Sequence, residues 1–278
     1  MLEVKGIHFR HQHLEEDVLK GVEFDAVGGE ITTLLGPNGS GKTTVFKCIA
    51  GLWKPQRGEI LFNKKDISNL PYEKRAKMLA IVPQEHEPPF PYSVLDAVLM
   101  GRVSHVSLFS SPSKYDYFKA EEAIESVGIS HLKEKAYTRV SGGERQLVLI
   151  ARALAQEAPV MLLDEPTSHL DFRNQVIVLN KIKEIARYKG LIVLMTLHDP
   201  NLAMLFSDKV VMMNNGHVIS KGFPQEVITE DNLKSVYMID VSVINWCGKK
   251  FICPRINQSK DKIIPAKVRI QMHDKILI

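Results

Sequence analysis

The sequence predicts an α/β fold in which a mostly parallel β-sheet is flanked by helices. Short apolar runs recur along the chain and are separated by segments with helical periodicity. A glycine-rich loop joins one of these runs to a helix. Strands that are apolar on both faces are typical of parallel sheets covered on both sides by helices. The predicted strands are the run EITTLLG from Glu30, Leu79 to Val82, Val160 to Leu163, Leu191 to Thr196 and Lys209 to Met213.

The composition is that of a globular chain without a nucleic-acid-binding or membrane-spanning segment. Of its 278 residues, 45% are hydrophobic, which is enough for a large core. The net charge is only +4, and the basic residues form no run, so we expect no nucleic-acid partner. No apolar stretch approaches the roughly 20 residues of a spanning helix, and the N-terminus lacks the apolar core of a secretion signal. We therefore expect a cytoplasmic chain whose three widely spaced cysteines are reduced.

Two regions depart from the alternation of strands and helices. From Pro88 to Ala136, a proline-rich start precedes the periodic segments SVLDAVLMGR and YDYFKAEEAIESVG, which predicts a mostly helical insertion beside the sheet. After Asn215, the segment NNGHVISKG is typical of a turn between two short strands. The segment EDNLKSVYMI then predicts a helix.

The glycine-rich loop GPNGSGKT has the spacing of a phosphate-binding loop, and it lies between a strand and a helix as that motif requires. The sheet is therefore predicted to be a P-loop NTPase core. Glycines let successive backbone N–H groups and the helix N-terminus point at phosphate oxygens. We expect Lys42 to contact the β- and γ-phosphates and the Thr43 hydroxyl to bind Mg²⁺. The expected nucleotide-binding residues are Gly36, Pro37, Asn38, Gly39, Ser40, Gly41, Lys42, Thr43 and Thr44.

Two adjacent carboxylates follow the strand VMLL. Strand alternation predicts that Asp164 and Glu165 point in different directions, so that one can serve a metal ion and the other the attacking water. We assign Asp164 to the metal site. Glu165 is the predicted general base for attack on the γ-phosphate.

A second loop suited to anions starts at Ser141. The segment VSGGERQLVLIARALAQ has a serine and two glycines before an amphipathic helix, whose N-terminus can hold negative charge. With this segment the sequence resembles the ATP-binding cassette (ABC) family, whose signature is usually LSGGQ; Val140 replaces the leucine. The nucleotide-binding residues that the resemblance implies here are Ser141, Gly142, Gly143 and Glu144, the last in place of the glutamine.

The resemblance assigns roles to three further segments. Gln84 resembles the Q-loop glutamine, which reaches Mg²⁺ and the attacking water. The segment SHLD resembles the D-loop that meets the opposite subunit, with Asp171 at the nucleotide interface and His169 in place of alanine. His198 matches the switch histidine that contacts the γ-phosphate. The implied catalytic residues are Lys42, Gln84, Glu165 and His198, and the implied metal-binding residues are Thr43, Gln84 and Asp164.

The adenine-stacking position is poorly matched. The family usually places an aromatic residue, often tyrosine, in the segment that reads HFRHQHLEEDVL in this chain. His11 is the nearest counterpart by spacing, with Phe9 and His13 as alternatives. An imidazole has a smaller flat face than a phenol, so we expect weaker discrimination for adenine.

The resemblance also implies an architecture and partners. An ABC ATPase domain is expected over residues 1–254, with an N-terminal antiparallel β element and a helical signature subdomain inserted at about 88–157. Residues 255–278 extend beyond the resemblance and have no assigned role. Two copies are expected to enclose MgATP head to tail and to drive transmembrane permease subunits. Such a homodimer lies at the cytoplasmic face of the cell membrane.

The segments PYSVLDAVLMGRVSH and LKSVYMIDVSVINWCGKKFICP resemble the ATPases of importers for iron-siderophores, haem, cobalamin and related substrates. These importers receive their cargo from a substrate-binding protein. The resemblance also implies that the region from Tyr92 to Arg102 forms a groove for a helix of the permease. Two alternatives are an ABC exporter ATPase and a soluble ABC ATPase that acts on nucleic acid or the ribosome. The second usually has two cassettes or a long coiled-coil insertion, and this chain has neither.

Overall fold

The computed structural model describes residues 1–12, 15–84, 90–107, 110–246 and 248–255. Within these ranges, no helix has the length and apolarity needed to cross a membrane. The strands are β1 Leu2–Phe9, β2 Leu19–Ala26, β3 Ile31–Leu35, β4 Arg57–Phe62, β5 Lys65–Asp66, β6 Leu79–Val82, β7 Val160–Leu163, β8 Ile192–Leu197, β9 Lys209–Asn214, β10 His217–Gly222, β11 Val241–Trp246 and β12 Lys249–Pro254. The helices are α1 Lys42–Ala50, α2 Tyr72–Ala76, α3 Val94–Leu99, α4 Lys114–Val127, α5 Gly142–Ala155, α6 Phe172–Lys189, α7 Pro200–Phe206, α8 Pro224–Val227 and α9 Glu230–Tyr237.

A six-stranded sheet in the order β10-β9-β3-β8-β7-β6 forms the centre of the molecule. Its strands are parallel except for β10, which pairs with β9 through the predicted hairpin. Strands β3, β7 and β8 are buried along their whole length, as their apolar sequences predict. The predicted α/β class with a mostly parallel sheet is therefore confirmed. The strand predicted from Leu191 begins one residue later, at Ile192.

The N-terminal antiparallel element is confirmed as a sheet in the order β2-β1-β4-β5. Its buried side chains pack with those of α1 and with one face of the central sheet. The other face of the central sheet packs against the helices, including α5 and α6. The central sheet thus lies between a β layer and a helical layer. Helix α1 ends at Ala50, and Leu52 beyond it is 53% exposed.

The predicted helical insertion contains α3, α4 and short 3₁₀ turns, and it packs against α5. Ser93, Ser113 and Ser141 each cap a helix through a reciprocal hydrogen bond with an acidic side chain three residues later. The apolar residues Val94 and Val98 are fully buried and belong to the core. These caps define where the insertion's main helices begin.

The segment after α9 forms a two-stranded hairpin, β11–β12, which the sequence analysis did not predict. Asn201 of α7 bonds the backbone of Ile252 through both its oxygen and its nitrogen, at 2.7 and 3.1 Å. Glu230 accepts from the N–H of Val243 at 2.8 Å. Side chains from outside the hairpin therefore fix it to the body of the protein. Of the extension 255–278, only Arg255 belongs to the described residues, and His13 lies outside them.

Candidate active site

The phosphate-binding loop packs tightly between β3 and α1. A methyl group on Gly36 would lie 2.3 Å from the carbonyl oxygen of Met213 in β9, so no larger residue fits without a backbone shift. Gly41 has φ of 102°, a conformation that glycine adopts readily, and it leads into α1. The hydroxyl of Ser40 is buried and has no hydrogen-bond partner in the structure. The loop therefore combines close backbone packing with an unsatisfied polar group suited to a phosphate oxygen.

Lys42 points back over this loop. Its ammonium donates to the carbonyl oxygens of Gly36 and Pro37 at 2.8 and 3.0 Å. Burial lowers the pKa of Lys42, while the carboxylates of Glu165 and Asp164 act in the opposite direction. A buried cation with only carbonyl partners gains from a nearby anion. The loop thus fits the triphosphate predicted for it.

The two carboxylates lie in a bend just beyond the end of β7. Strand β7 ends at Leu163, and Glu165 has φ of 48°, so strand alternation is not what separates the side chains, and that part of the prediction is wrong. Thr196 of β8 donates through its hydroxyl to Oδ1 of Asp164 at 2.8 Å and accepts from the N–H of Glu165 at 2.8 Å. Thr196 therefore orients both acids. The sequence analysis missed it because its only signal was a polar residue in an apolar strand.

Glu165 contacts two of the predicted catalytic residues. The amide nitrogen of Gln84, just beyond β6, donates to Oε2 at 2.9 Å. Nε2 of His198, just beyond β8, lies 2.5 Å from Oε1. The side chain of Glu165 is 13% exposed and that of His198 is 43% exposed. The structure thus brings Gln84 and His198 together around the partly buried carboxylate of Glu165.

The predicted metal-binding residues are hard oxygen donors. Asp164 is partly buried, and burial is the largest cause of its raised pKa. Thr43 is exposed at the start of α1, and Gln84 is exposed beyond β6. A carboxylate, a hydroxyl and an amide oxygen suit Mg²⁺, which takes few protein ligands and keeps water and phosphate oxygens. No group of three His, Cys, Asp or Glu residues suited to a metal occurs among the described residues.

The signature segment forms the N-terminus of α5. Ser141 caps this helix, and its own N–H donates to Glu144 at 2.7 Å. Ser141 and Gly142 are exposed, whereas Gly143 is buried against Asn174 of α6. Asn174 in turn donates from its backbone and its amide to the carboxylate of Asp171, at 2.8 and 3.0 Å. Within one chain, the signature loop therefore rests on the start of the helix that follows the D-loop.

The predicted D-loop forms a tight turn. Ser168 donates to the carbonyl oxygen of Glu165 at 2.9 Å, which ties the turn to the backbone of the predicted general base. His169 has φ of 64°, and its side chain is exposed, as expected. Asp171 is also exposed. The structure gives no reason for histidine in place of alanine at position 169.

His11 lies just after β1 in an aromatic cluster. Its ring is 4.9 Å from that of Phe9 and 4.6 Å from that of Trp53, nearly perpendicular to both. Phe9 is only 6% exposed and stacks parallel to Trp53, so a base cannot reach its face. Of the candidates for adenine stacking that the structure describes, His11 is the accessible one.

A groove of about 340 Å³ lies outside this site, between α1, α2 and the segment after α3. Its polar lining comes from Tyr72, Arg75 and Arg152, and Met100 and Gly101 line the side that belongs to the helical insertion. The sequence analysis placed a groove for a membrane partner at 92–102. Only the end of that segment lines the groove, because its earlier apolar residues face the core.

Comparisons with known proteins agree with these features. The family model described as "ABC transporter" matches residues 19–168. The "Probable iron chelatin transport ATP-binding protein" of Helicobacter pylori is 39% identical over 254 residues, which cover 91% of this chain and 98% of the relative. The "Hemin import ATP-binding protein HmuV" of Shewanella denitrificans is 37% identical over 235 residues, covering 82% and 90%.

Solved structures extend the comparison to the fold. A metal-chelate type ABC transporter in an inward-facing conformation superposes with a TM-score of 0.81 at 33% identity, covering 92% of this chain and 98% of the other. The dimeric ABC transporter cassette MJ0796 superposes with a TM-score of 0.70 at 26% identity, covering 81% and 99%. The family match includes more than half of the chain. The chain therefore belongs to the ABC transporter family, as an ATP-binding subunit that hydrolyses ATP.

Proposed function

We propose that this subunit hydrolyses MgATP at a site formed where four neighbouring strands end. The phosphate loop follows β3, Gln84 follows β6, Glu165 follows β7 and His198 follows β8. Parallel strands place their carboxyl ends along one edge of a sheet, where ligands of α/β proteins bind. The contact of Glu165 with both Gln84 and His198 is the observation that supports this proposal most directly.

Each side chain has a distinct role in this proposal. Lys42 exchanges its carbonyl partners for the β- and γ-phosphates, and the loop N–H groups bind the same oxygens. Glu165 orients and deprotonates the attacking water, and His198 contacts the γ-phosphate. Thr43, Gln84 and Asp164 hold Mg²⁺, which neutralises charge on the phosphates.

The second half of the nucleotide site comes from another copy of the chain. The N-terminus of α5 presents Ser141 and Gly142 to solvent with the positive end of its dipole. In the proposed head-to-tail homodimer, these residues and Asp171 meet the phosphates bound by the opposite subunit. The dimeric cassette among the similar structures supports this arrangement. ATP binding then favours the closed dimer, and loss of the γ-phosphate releases it.

We further propose that the chain powers uptake of a metal chelate, such as an iron-siderophore or haem, through a membrane permease. The named relatives transport iron chelatin and hemin. The cassette is residues 1–254, with the helical subdomain at about 88–157. The groove beside Met100 and Gly101 receives a cytoplasmic helix of the permease, and this contact places the subunit at the inner face of the membrane.

The variant Glu165→Gln tests the hydrolytic site. We expect hydrolysis to fall at least ~100-fold, the size of a general-base contribution, while ATP still binds and promotes dimers. Glu23→Gln, which changes an exposed carboxylate on β2, is the matched control. The measurements are phosphate release and sedimentation with and without MgATP. Hydrolysis at the normal rate by Glu165→Gln would refute the role of Glu165 as the base.

Transport is tested separately in proteoliposomes that contain the permease encoded beside this chain. We expect uptake of a ferric chelate or haem into the proteoliposomes. This uptake should depend on ATP inside the vesicles and on the substrate-binding protein outside them. ATP-driven export of any tested compound, or copurification with ribosomes or nucleic acid in place of a membrane protein, would contradict the importer proposal and leave the hydrolytic site unaffected.

A further inference from the structure

The segment after α1 contacts the ring of His11, which is proposed to stack on the nucleobase, and also the backbone that leads into His11. Trp53 lies beside the ring of His11, with ring centres 4.6 Å apart and planes at 84°. Gln56 donates from its side chain to the carbonyl oxygen of Arg10 at 2.8 Å and accepts from the N–H of Arg10 at 2.9 Å. Its own N–H donates to the carbonyl oxygen of His8 at 2.9 Å. The backbone that leads into His11 is therefore held by this segment.

Trp53 is itself fixed on several sides. Phe9 stacks parallel to it with ring centres 5.2 Å apart, and the ammonium of Lys47 lies 4.3 Å from its ring centre. The backbone N–H of Trp53 donates to the carbonyl oxygen of Lys47, which belongs to the last turn of α1. Phe9 and Lys47 thus both contact the indole ring of Trp53. The rings of Phe9 and Trp53 each contact the ring of His11 in edge-to-face geometry. Trp53 is thus a rigid support for the ring of His11.

Helix α1 connects the two ends of the nucleotide site. It begins at Lys42 in the phosphate loop and ends at Ala50, about 12 Å further along at 1.5 Å per residue. The backbone N–H groups of Leu52 and Trp53 both donate to the carbonyl oxygen of Lys47 in the last turn of α1. A single rigid element therefore sets the distance between the phosphate-binding lysine and the ring that supports His11.

We propose that Trp53 is a positioning residue for the nucleobase: it holds the imidazole of His11 in the orientation that stacks on adenine and contributes nothing to phosphate binding. The proposal rests on the nucleotide site described under Proposed function. An imidazole has less surface than a phenol, so its orientation must be restrained by neighbours if the stacking energy is to be kept. Trp53 and Gln56 supply that restraint, and Trp53 does so through its side chain alone.

Binding measured with and without a base separates positioning from general structural support. The probes are ATP and inorganic tripolyphosphate, which has the phosphates but no base, titrated by calorimetry in EDTA so that no hydrolysis occurs. We expect Trp53→Leu to weaken ATP binding about fivefold to tenfold, within the range measured for losing a base–aromatic stack. Tripolyphosphate binding should stay within about twofold of wild type, because α1 and its loop are intact. Trp53→Phe should restore ATP binding, and Trp246→Leu, a change of an exposed tryptophan on β11, should alter neither probe.

Double substitution tests whether Trp53 acts through His11. We expect His11→Ala to lose as much ATP affinity as Trp53→Leu, and the double variant to lose no more than either one, since both remove the same stack. Additive losses would overturn the proposal. Equal losses for ATP and tripolyphosphate, or unchanged ATP affinity in Trp53→Leu, would overturn it as well.

Fluorescence gives an independent readout. The chain has two tryptophans, so Trp246→Phe leaves Trp53 as the sole indole reporter. We expect ATP, but not tripolyphosphate, to change its emission, and His11→Ala to remove most of that response. A full response in His11→Ala would mean that the base stacks on Trp53 itself, which contradicts the positioning role. If the unmodified protein binds neither probe, the nucleotide site and this inference both fail. Normal ATP hydrolysis without any change in Trp53 emission on ATP binding rejects the inference alone.

Discussion

Asp164, which we propose binds Mg²⁺, lies partly buried just beyond β7, and the requirements of metal binding and of folding conflict there. Its carboxylate accepts one hydrogen bond from Thr196, but burial outweighs that bond and raises its pKa. A carboxylic acid with a raised pKa in the folded state destabilises the fold once it ionises. This cost is absent at low pH, where the group is neutral in both states. It grows as the pH rises from the ordinary pKa of the unfolded state to the raised pKa of the folded state, and it is complete above the raised pKa.

Replacement of Asp164 by asparagine should therefore stabilise the protein without nucleotide and abolish Mg²⁺-dependent hydrolysis. We expect a higher Tm at neutral pH, by about 2–4 °C for each kcal/mol regained. The gain should shrink as the pH falls, because the wild-type carboxyl is then protonated. Thermal unfolding across a pH series checks this, with Asp25→Asn on an exposed part of β2 as control. A gain that is independent of pH would contradict the assigned cause.

At the scale of elements, the start of α5 depends on the start of α6. A methyl group on Gly143 would lie 2.7 Å from Cγ and Oδ1 of Asn174, whereas one on Gly142 would meet only Leu170 at 3.6 Å. Alanine is otherwise the better helix former by about 1 kcal/mol. The two adjacent glycines should therefore respond in opposite ways to the same substitution.

We expect Gly143→Ala to lower the Tm and Gly142→Ala to leave it unchanged or raise it. Asn174→Ala should partly rescue Gly143→Ala, since it removes the two closest atoms and leaves Cβ at 3.1 Å. Differential scanning calorimetry measures both effects. It is applied to the two glycine variants, to Asn174→Ala and to the double variant of Gly143→Ala with Asn174→Ala. Equal Tm values for the two glycine variants would show that α5 adjusts without help from α6.

At the scale of the whole molecule, the proposed dimer has two composite sites, each formed by the phosphate loop of one copy and the signature loop of the other. Lys42→Ala damages one half of a site and Ser141→Arg damages the other half. In a mixed dimer, both defects meet in a single site. The second site then contains an intact Lys42 and an intact Ser141.

Two inactive variants should therefore regain hydrolysis when they are mixed. With random pairing, and with sites that act independently, about a quarter of wild-type activity is expected, because half of the dimers are mixed and each has one sound site. Phosphate release by the mixture, compared with each variant alone at the same total concentration, provides the measurement. A mixture as inactive as its components argues against independent head-to-tail sites.

Much of the site could be predicted from the sequence because its motifs are local. The phosphate loop GPNGSGKT requires glycines at close spacing before a helix, and any chain with that pattern presents backbone donors in the same way. The same holds for the serine cap of α5, which needs Glu144 only three residues away. Strand and helix types followed from periodicity, because each period reports which faces are buried.

Contacts between distant segments could not be read in this way. Thr196 orients Asp164 from 32 residues away, and Trp53 reaches His11 across 42 residues. Neither has a sequence signature, because their roles depend on which atoms the fold brings within a few ångströms.

The sequence by itself determined the α/β class, the nucleotide chemistry and the residues at each strand end, since apolar periodicity and local backbone motifs encode them. Only the tertiary structure decided how those residues are oriented: that Asp164 and Glu165 lie in a bend beyond β7, that Phe9 is too buried to stack on a base, and that Asn174 supports Gly143. The physical reason is that orientation comes from packing and hydrogen bonds between segments far apart in the chain, and these form only when the sheet and its two covering layers assemble.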